Sequence, residues 1–256
     1  MAHETGYLDI RGQRVWHAVH GSGGGDPVVL LHGGFASADS WMLQVPALEA
    51  AGFQVYVPER RGHGRTPDVA GPITYELMAE DTVGYLDTVI AGPAHLVGWS
   101  DGAVVGLLVA MKRPDLVRRL VLIGQYFNSS GKVPDSPLLA MIGSPEAEGF
   151  LRGMYDPYSP DGPEHFPIVR DKLLAMFDAE PELDLAELAS VTAPTLVLQG
   201  DRDEVTVAHS VEVASRLADG RLAVIPGSHG LPIEQPAVVN ELLVSFLRDG
   251  VPDPLM

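Results

Sequence analysis

The sequence predicts an α/β fold with a mostly parallel sheet that is covered by helices on both faces. Short runs that are almost continuous in apolar residues recur along the chain, as in "PVVLLHG" and "PTLVLQG". Such runs are typical of strands buried on both faces of a parallel sheet. The segments between them carry apolar residues at helical spacing, so strand and helix alternate as in βαβ units. A chain of 256 residues is long enough for one large domain of this kind, and nothing requires two independent cores.

The strands can be placed in order along the sequence. The opening segment "YLDIRGQRVWHAVHG" alternates apolar and polar residues around Gly12, which predicts an antiparallel hairpin at one edge of the sheet. Six apolar runs follow and are predicted to be buried strands: residues 27–33, 53–59, 94–100, 118–124, 194–200 and 221–227.

Two segments between or after these strands show clear amphipathic helical spacing. Each has four apolar residues at positions i, i+3, i+4 and i+7, which form one face of a helix. They are Val104, Leu107, Leu108 and Met111 in the first segment, and Val239, Leu242, Leu243 and Phe246 in the second.

Residues 126–188 interrupt this alternation. They contain no predicted strand, many prolines and glycines, and short helical pieces such as "IVRDKLLAMF". A buried core segment would not carry "DPYSPDGPE", so we expect an insertion that lies over the carboxyl edge of the sheet. The predicted core then consists of residues 1–125 and 189–256.

Composition and charge exclude several classes of function. The absence of cysteine excludes disulfides, thiolate metal sites and cysteine nucleophiles. The 34 acidic residues against 17 basic ones give a formal net charge of −17, so nucleic acid and anionic membrane surfaces are not expected partners. No apolar run approaches the roughly 18 residues that span a bilayer, and "MAHETGYLDIRG" lacks the pattern of a secretory signal. We expect a soluble, cytoplasmic protein; the sequence does not indicate its oligomeric state.

The stretch "GWSDG" places Ser100 on a one-residue turn between a predicted strand and a predicted helix. Such a turn strains the backbone of its central residue, and side chains at positions 98 and 102 would collide with neighbouring backbone, so Gly98 and Gly102 are required. The hydroxyl is raised above the sheet edge, beside a helix N-terminus with free N–H groups. This is the G-x-S-x-G pattern of a nucleophile elbow, and it predicts that Ser100 is a nucleophile.

A serine nucleophile needs a base that takes its proton and an acid that orients the base. His229 follows the last predicted strand and is the candidate base. The strand before it is followed by "DRDEV", which offers Asp201, Asp203 and Glu204. We favour Asp203, because Asp201 directly follows the strand and can brace the loop, whereas Asp203 lies farther over the sheet edge, where active sites of open α/β sheets gather.

The other histidines are less suited to chemistry. His17 and His20 lie an odd number of residues apart on a strand and face opposite sides, so they do not share a metal ion. His32 and His63 are expected to hold loop shape, and His165 is expected to be exposed in the insertion, with substrate contact as the alternative. We predict no metal site and no cofactor.

Acyl transfer also needs donors for the developing oxyanion. The backbone N–H groups of Asp101 and Gly34 are the candidates, with Phe35 as an alternative to Gly34. Further residues are candidates for the substrate pocket, or in the insertion for its own core: Phe35, Trp99, Asp101, Gln125, Tyr126, Tyr155, Tyr158, Phe166 and Phe177.

The motifs "HGGF", "RGHGRT", "GWSDG", "GDRDEV" and "GSHG" occur in the order and spacing of the α/β-hydrolase superfamily, which the chain resembles over nearly its whole length. The resemblance implies an eight-stranded, mostly parallel sheet with a small helical lid inserted after the sixth strand. It also implies a catalytic triad of Ser100, His229 and Asp203.

Some positions depart from or refine this resemblance. Glu59 stands where the family often has Asp, a difference we expect to be structural, and "TVAH" follows "DEV" where proline is common. The elbow is similar to that of valacyclovir hydrolase and related amino-acid ester hydrolases, which implies that Asp101 receives a substrate ammonium group. The alternative is that Asp101 only complements the helix N-terminus.

These observations predict a serine hydrolase that cleaves a small-molecule carboxylic ester through an acyl-enzyme. A C–C bond hydrolase, a lactonase, an amidase or a cofactor-free perhydrolase would use the same triad. A non-catalytic ligand receptor on a hydrolase frame is the alternative from another class. Dehalogenase and epoxide hydrolase chemistry is not expected, because the members of the superfamily that perform it use Asp where this chain has Ser100.

Overall fold

In the computed structural model of the chain, which describes residues 4–142 and 144–249, eight strands form one sheet. They are β1 (Glu4–Ile10), β2 (Gln13–His20), β3 (Pro27–Leu31), β4 (Gln54–Pro58), β5 (Ala94–Trp99), β6 (Val117–Ile123), β7 (Thr195–Gly200) and β8 (Gly220–Ile225). Their order across the sheet is β1-β2-β4-β3-β5-β6-β7-β8. The strands from β3 onward pair in parallel, and β2 pairs antiparallel with both β1 and β4. The prediction of a mostly parallel, eight-stranded sheet is confirmed.

The predicted hairpin at the sheet edge is confirmed and consists of β1 and β2. Its two-residue loop is formed by Arg11 and Gly12, with φ values of 57° and 77°. Two consecutive positive φ values are typical of the type I′ turn, whose twist matches that of the flanking strands.

Nine α-helices are present among the described residues. They are α1 (Val45–Ala50), α2 (Tyr75–Tyr85), α3 (Asp101–Lys112), α4 (Pro137–Ile142), α5 (Glu148–Tyr155), α6 (Phe166–Ala179), α7 (Val207–Arg216), α8 (Leu231–Glu234) and α9 (Pro236–Asp249). None of them combines the length and the apolar composition needed to cross a membrane.

Helices cover both faces of the sheet, as predicted. Val28 and Leu30 of β3 pack into a core cluster that includes side chains of α1 and α9. Val29 and Leu31 point to the opposite face and pack into a cluster that includes α2, α3 and α7. All four side chains are fully buried, which explains why the central strands are apolar without alternation.

Two elements differ from the pattern that their sequences predict. The apolar stripe of residues 104–111 belongs to α3, but every residue of this helix from Asp101 to Ala110 is buried, and α2 packs against it in the same core cluster. Conversely, β8 is predicted to be buried on both faces, and this is wrong: Leu222 and Val224 stay 36% and 37% exposed. As the last strand of the sheet, β8 has a neighbour on one side only.

The segment between β6 and β7 contains α4, α5 and α6, and no strand among its described residues. The predicted helical piece at residues 168–177 lies inside α6. Phe166, Val169 and Leu173 of α6 are fully or almost fully buried and belong to the same core cluster as α2 and α3. The function of this insertion as a lid, and its boundaries at residues 126 and 188, stay predictions.

Candidate active site

Ser100 lies on a strained turn between β5 and α3. Its φ and ψ values are 55° and −123°, in a region that residues with a side chain rarely adopt. A Cβ atom on Gly98 would lie 2.2 Å from the carbonyl oxygen of Gly102, and one on Gly102 would lie 2.0 Å from that of Leu31. The turn therefore requires glycine at both positions, and it leaves the Ser100 hydroxyl at the carboxyl edge of the sheet.

Two loops at the same edge bring an imidazole and a carboxylate to this hydroxyl. His229 follows β8, and its Nε2 lies 3.0 Å from Ser100 Oγ. Asp203 follows β7, and its Oδ1 lies 2.8 Å from His229 Nδ1. The Asp203 side chain is completely buried, so this acceptor is shielded from competing water. The candidate nucleophile is thus within hydrogen-bonding distance of the candidate base, and the candidate base is within hydrogen-bonding distance of the candidate acid.

The neighbouring carboxylate, Asp201, contacts the backbone of the histidine loop. Its Oδ1 accepts a hydrogen bond of 3.0 Å from the Gly227 N–H, at the start of the loop that carries His229. Asp201 therefore braces this loop, while Asp203 contacts the imidazole. The loop after Asp203 carries "TVAH" where proline is common in the family. Thr206 of this loop stabilises it by capping the N-terminus of α7.

A second brace of the histidine loop was not predicted. Glu234 of α8 accepts hydrogen bonds from the N–H and, at 2.5 Å, the hydroxyl of Ser228, directly before His229. The Trp99 indole donates a hydrogen bond of 2.9 Å to the His229 carbonyl oxygen. These contacts fix the backbone on both sides of the imidazole. The sequence signal was weak, because a glutamate at this spacing from a serine is common.

The loop proposed to carry an oxyanion donor lies beside Ser100. A Cβ on Gly33 would lie 3.3 Å from Ser100 Cβ, and Phe35 has a positive φ of 57° that turns the chain inward. Gly34 lies next to Asp101, since a Cβ there would be 2.5 Å from Asp101 Oδ2. Gly34 therefore lies against the side chain of Asp101, the residue whose N–H is the other candidate donor.

The buried side chain of Arg60, which the sequence analysis did not single out, supports this loop. The Arg60 guanidinium donates to the carbonyl oxygens of His32 and Gly33, the second at 3.1 Å. His32 Nε2 accepts a hydrogen bond of 3.2 Å from the Arg60 N–H, which agrees with the expectation that His32 holds loop shape. Burial lowers the pKa of Arg60 to about 10, so it stays protonated at neutral pH. No local pattern distinguishes Arg60 from the partly buried Arg61 and Arg65 in "ERRGHGR".

Glu59 and His63 of the same segment have structural roles, as expected. Glu59 is completely buried and accepts hydrogen bonds from the backbone of Ala38 and from the side chain and backbone of Arg65. His63 packs its ring 5.1 Å from that of His32. Burial lowers the pKa of His63 to about 3, so it is neutral and does not add a second cation beside Arg60.

Asp101 places a buried carboxylate next to the nucleophile. Its Oδ1 accepts a hydrogen bond of 2.8 Å from the hydroxyl of Tyr75, a residue that the sequence analysis did not single out. Burial raises the pKa of Asp101, and the charge of Arg60 and the hydrogen bond from Tyr75 oppose this increase. Asp101 Oδ2 has no hydrogen-bond partner among the described residues. Whether this oxygen receives a substrate ammonium stays a prediction.

A cavity of about 800 Å³ opens over Ser100 and His229. The residues predicted to bind substrate all line it: Phe35, Trp99, Asp101, Gln125 and Tyr126. Tyr158 and Phe177 of the insertion line it as well. Tyr155 and Phe166 do not: both are buried, their ring centroids lie 5.4 Å apart, and they belong to the core cluster that the insertion shares with α2 and α3.

His165 lies elsewhere. It is not among the residues that line the cavity, and its Nε2 is 2.9 Å from Asp68 Oδ2. Lys172 of α6 binds the same carboxylate at 2.6 Å. This cluster joins the insertion to the loop after β4, so the alternative of substrate contact by His165 is not supported.

Comparison with known families assigns the chain. The model of the "Alpha/beta hydrolase family" matches residues 28–242, which include every residue of the site described above. The chain belongs to this family. The α/β-hydrolase chain is also 31% identical to a protein of Variovorax paradoxus that is provisionally named carbamate hydrolase RutD, over 92% of this chain and 98% of that one.

Solved structures of α/β hydrolases superpose on nearly the whole chain. A hydrolase from Pseudomonas aeruginosa has a TM-score of 0.75 at 26% identity and covers 97% of this chain and 100% of its own. The enol-lactonase from Burkholderia xenovorans also has a TM-score of 0.75, at 24% identity, with 95% and 100% covered. At 24% identity, the similarity to the enol-lactonase shows only that the two chains share a fold.

Proposed function

We propose that this α/β hydrolase is a serine hydrolase that cleaves an ester bond of a small molecule through an acyl-enzyme. The observation that carries the proposal is the chain of contacts from Ser100 Oγ to His229 Nε2, at 3.0 Å, and from His229 Nδ1 to Asp203 Oδ1, at 2.8 Å. A hydroxyl is unreactive at neutral pH without such a base, and the base needs such an orienting carboxylate.

In the proposed reaction, Ser100 Oγ attacks the ester carbonyl carbon while its proton passes to His229 Nε2. The backbone N–H groups of Gly34 and Asp101 stabilise the oxyanion, and Arg60 holds the Gly34 loop in place through the His32 and Gly33 carbonyls. Asp203 keeps the imidazole in the required tautomer and stabilises the imidazolium. His229 then protonates the leaving alcohol, and water, activated by the same imidazole, releases the acid and restores Ser100.

The same machinery also fits related substrates. Lactones, amides, carbamates, C–C bonds beside a carbonyl and peracid formation all pass through attack on a carbonyl carbon, and relatives of this chain carry names from several of these reactions. Ester hydrolysis is favoured because an alcohol leaving group demands less assistance from the protein than the amine of an amide or the carbanion of a C–C bond. Epoxide opening is not proposed, because Ser100 occupies the nucleophile position.

A covalent probe distinguishes the enzyme from a non-catalytic receptor. We expect a fluorophosphonate to label the wild-type protein at Ser100, as detected by intact mass and peptide mapping, because the probe requires an activated serine. The Ser100→Ala variant should remain unlabelled. Absence of labelling in wild-type protein that is folded by circular dichroism would contradict the proposal and favour a receptor.

The pH dependence of hydrolysis reports on the proposed base. Burial of the His229 imidazole acts to lower its pKa, but the hydrogen bond and charge of Asp203, together with the charges of Glu204 and Asp101, raise the pKa above its ordinary value of 6.5. Because His229 must be neutral to accept the serine proton, kcat/KM should fall on acidification with a midpoint above 6.5.

The Asp203→Asn variant tests the cause of this shift. It removes the largest raising contribution and keeps the burial, so the midpoint of its residual activity should move to lower pH. An unchanged midpoint, measured over the same pH range, would mean that a different group controls the acidic limb.

A further inference from the structure

The insertion contributes mostly apolar side chains to the cavity lining, and they are Leu138, Met141, Ile142, Phe150, Met154 and Phe177. Phe177 lies against the loop of Gly34 and Phe35, whereas Met141 and Phe150 are exposed to solvent. An ester that places its carbonyl at Ser100 therefore extends one arm into apolar surroundings.

The mouth of the cavity is apolar as well. Four of the large hydrophobic side chains that the fold leaves exposed also line the cavity: Met42, Met141, Phe150 and Ile233, which are 66%, 42%, 63% and 56% exposed. Two come from the insertion and two from the core. Exposed apolar residues scattered singly are ordinary, but convergence on one opening indicates a surface that contacts an apolar ligand.

The charged side chains that line the cavity are mostly acidic, and the cations Arg65 and Lys132 lie behind the lining, against Asp39 and the Tyr126 ring. The lining includes the carboxylates of Asp39, Asp101 and Glu204 and, among the described residues, no lysine or arginine. The chain as a whole carries a formal charge of −17. A substrate with a carboxylate on its far end would lose water there without gaining a cationic partner, and the field of the protein would repel it.

We propose that the site selects uncharged esters with one long apolar arm, whose end reaches the mouth between the core and the insertion, and rejects esters whose arm ends in a carboxylate. The proposal rests on the proposed function and adds its substrate class. Phe150 and Met42, as the most exposed of the four mouth residues, contact the end of the arm. Each methylene of the arm leaves water on binding, which makes kcat/KM grow with arm length until the mouth is reached.

The first experiment varies arm length. Hydrolysis is measured for p-nitrophenyl acetate, butyrate, hexanoate and octanoate, and in parallel for the acetates of the matching straight-chain alcohols. We expect kcat/KM to rise about fourfold per methylene in one of the two series. A flat or falling dependence in both series would overturn the inference.

The second experiment varies only the end of the arm. The p-nitrophenyl monoester of suberic acid has the same chain length as the octanoate but ends in a carboxylate, which is ionised at pH 8. We expect its kcat/KM to be lower than that of the octanoate on the order of a hundredfold. Equal or faster hydrolysis of the suberate ester would overturn the inference. If the alcohol series is the one that responds to length, the acetate of an ω-hydroxy acid replaces the suberate ester.

A charge placed at the mouth tests the location. Phe150→Arg supplies a cation where the arm ends. It should lower the ratio of kcat/KM for the octanoate ester to kcat/KM for the suberate ester by about tenfold. Ile168→Arg is the matched control, since Ile168 is 49% exposed on α6, does not line the cavity, and brings the same change in net charge. For Ile168→Arg, the octanoate-to-suberate ratio of kcat/KM should equal that of the wild type. If both variants change the ratio alike, net charge rather than the mouth decides selection, and the location is wrong.

These measurements separate this inference from the function on which it rests. One outcome is that the wild type hydrolyses p-nitrophenyl acetate, loses this activity in Ser100→Ala, and shows no preference for an apolar arm. This result would contradict the substrate class and leave the proposed function intact. A wild-type protein that hydrolyses none of the esters and takes no fluorophosphonate would remove both.

Discussion

Ser100→Ala is expected to lower kcat for ester hydrolysis by about 10⁶-fold while the protein stays folded. The substitution removes the only atom that forms the acyl-enzyme, and serine hydrolases with this machinery lose activity of that order when the nucleophile is removed. Ser100 makes no side-chain cap to α3, so its loss should leave the thermal unfolding temperature almost unchanged. The measurement is stopped-flow or long-time-course hydrolysis of a p-nitrophenyl ester, with the melting curve as control.

The two neighbouring aspartates give a matched comparison for the same machinery. Asp203→Asn should reduce kcat by about 10⁴-fold, because the amide favours the wrong imidazole tautomer. Asp201→Asn should reduce kcat by less than about tenfold, since Asp201 contacts the Gly227 backbone and not the imidazole. If the two variants lost activity equally, or if Asp201→Asn were the more severe, the assignment of the acid would be wrong.

Gly102→Ala is expected to prevent normal folding. The added methyl would lie 2.0 Å from the Leu31 carbonyl oxygen and 2.8 Å from that of His32. Both are backbone atoms held in or directly after a central strand, so neither can yield as a flexible side chain would. The start of α3 must separate from β3, at a cost of more than about 4 kcal/mol in the free energy of unfolding, a large part of the stability of a typical domain.

The control for this variant is Gly153→Ala. Gly153 lies in α5, where an added Cβ meets nothing within 4 Å, and alanine favours helix over glycine by up to about 1 kcal/mol. We expect little soluble Gly102→Ala protein and a melting temperature for Gly153→Ala equal to or above that of the wild type. A Gly102→Ala protein with wild-type stability would mean that β3 and α3 are not packed as closely as described.

Local patterns were sufficient to predict the hairpin, the parallel strands and the elbow. Each is encoded by neighbours along the chain: Gly12 in a two-residue loop, continuous apolar runs in strands that are covered on both sides, and Gly98 and Gly102 around Ser100. The candidate acid and base could be found because each lies in the loop after a strand, and parallel strands end at one edge of the sheet. The error at β8 also has a local cause, since an apolar run does not reveal that its strand will be the last in the sheet.

The sequence by itself thus determined the class of fold and the residues able to activate a hydroxyl, because short-range geometry and strand ends specify both. Only the tertiary structure decided which carboxylate meets His229, that Arg60 and Tyr75 support the backbone and carboxylate beside Ser100, and which side chains form the cavity. The physical reason is that these contacts join residues far apart in the chain. Met42, Phe150 and Ile233, for example, carry no shared pattern and meet only because the insertion packs over the sheet edge that carries Ser100.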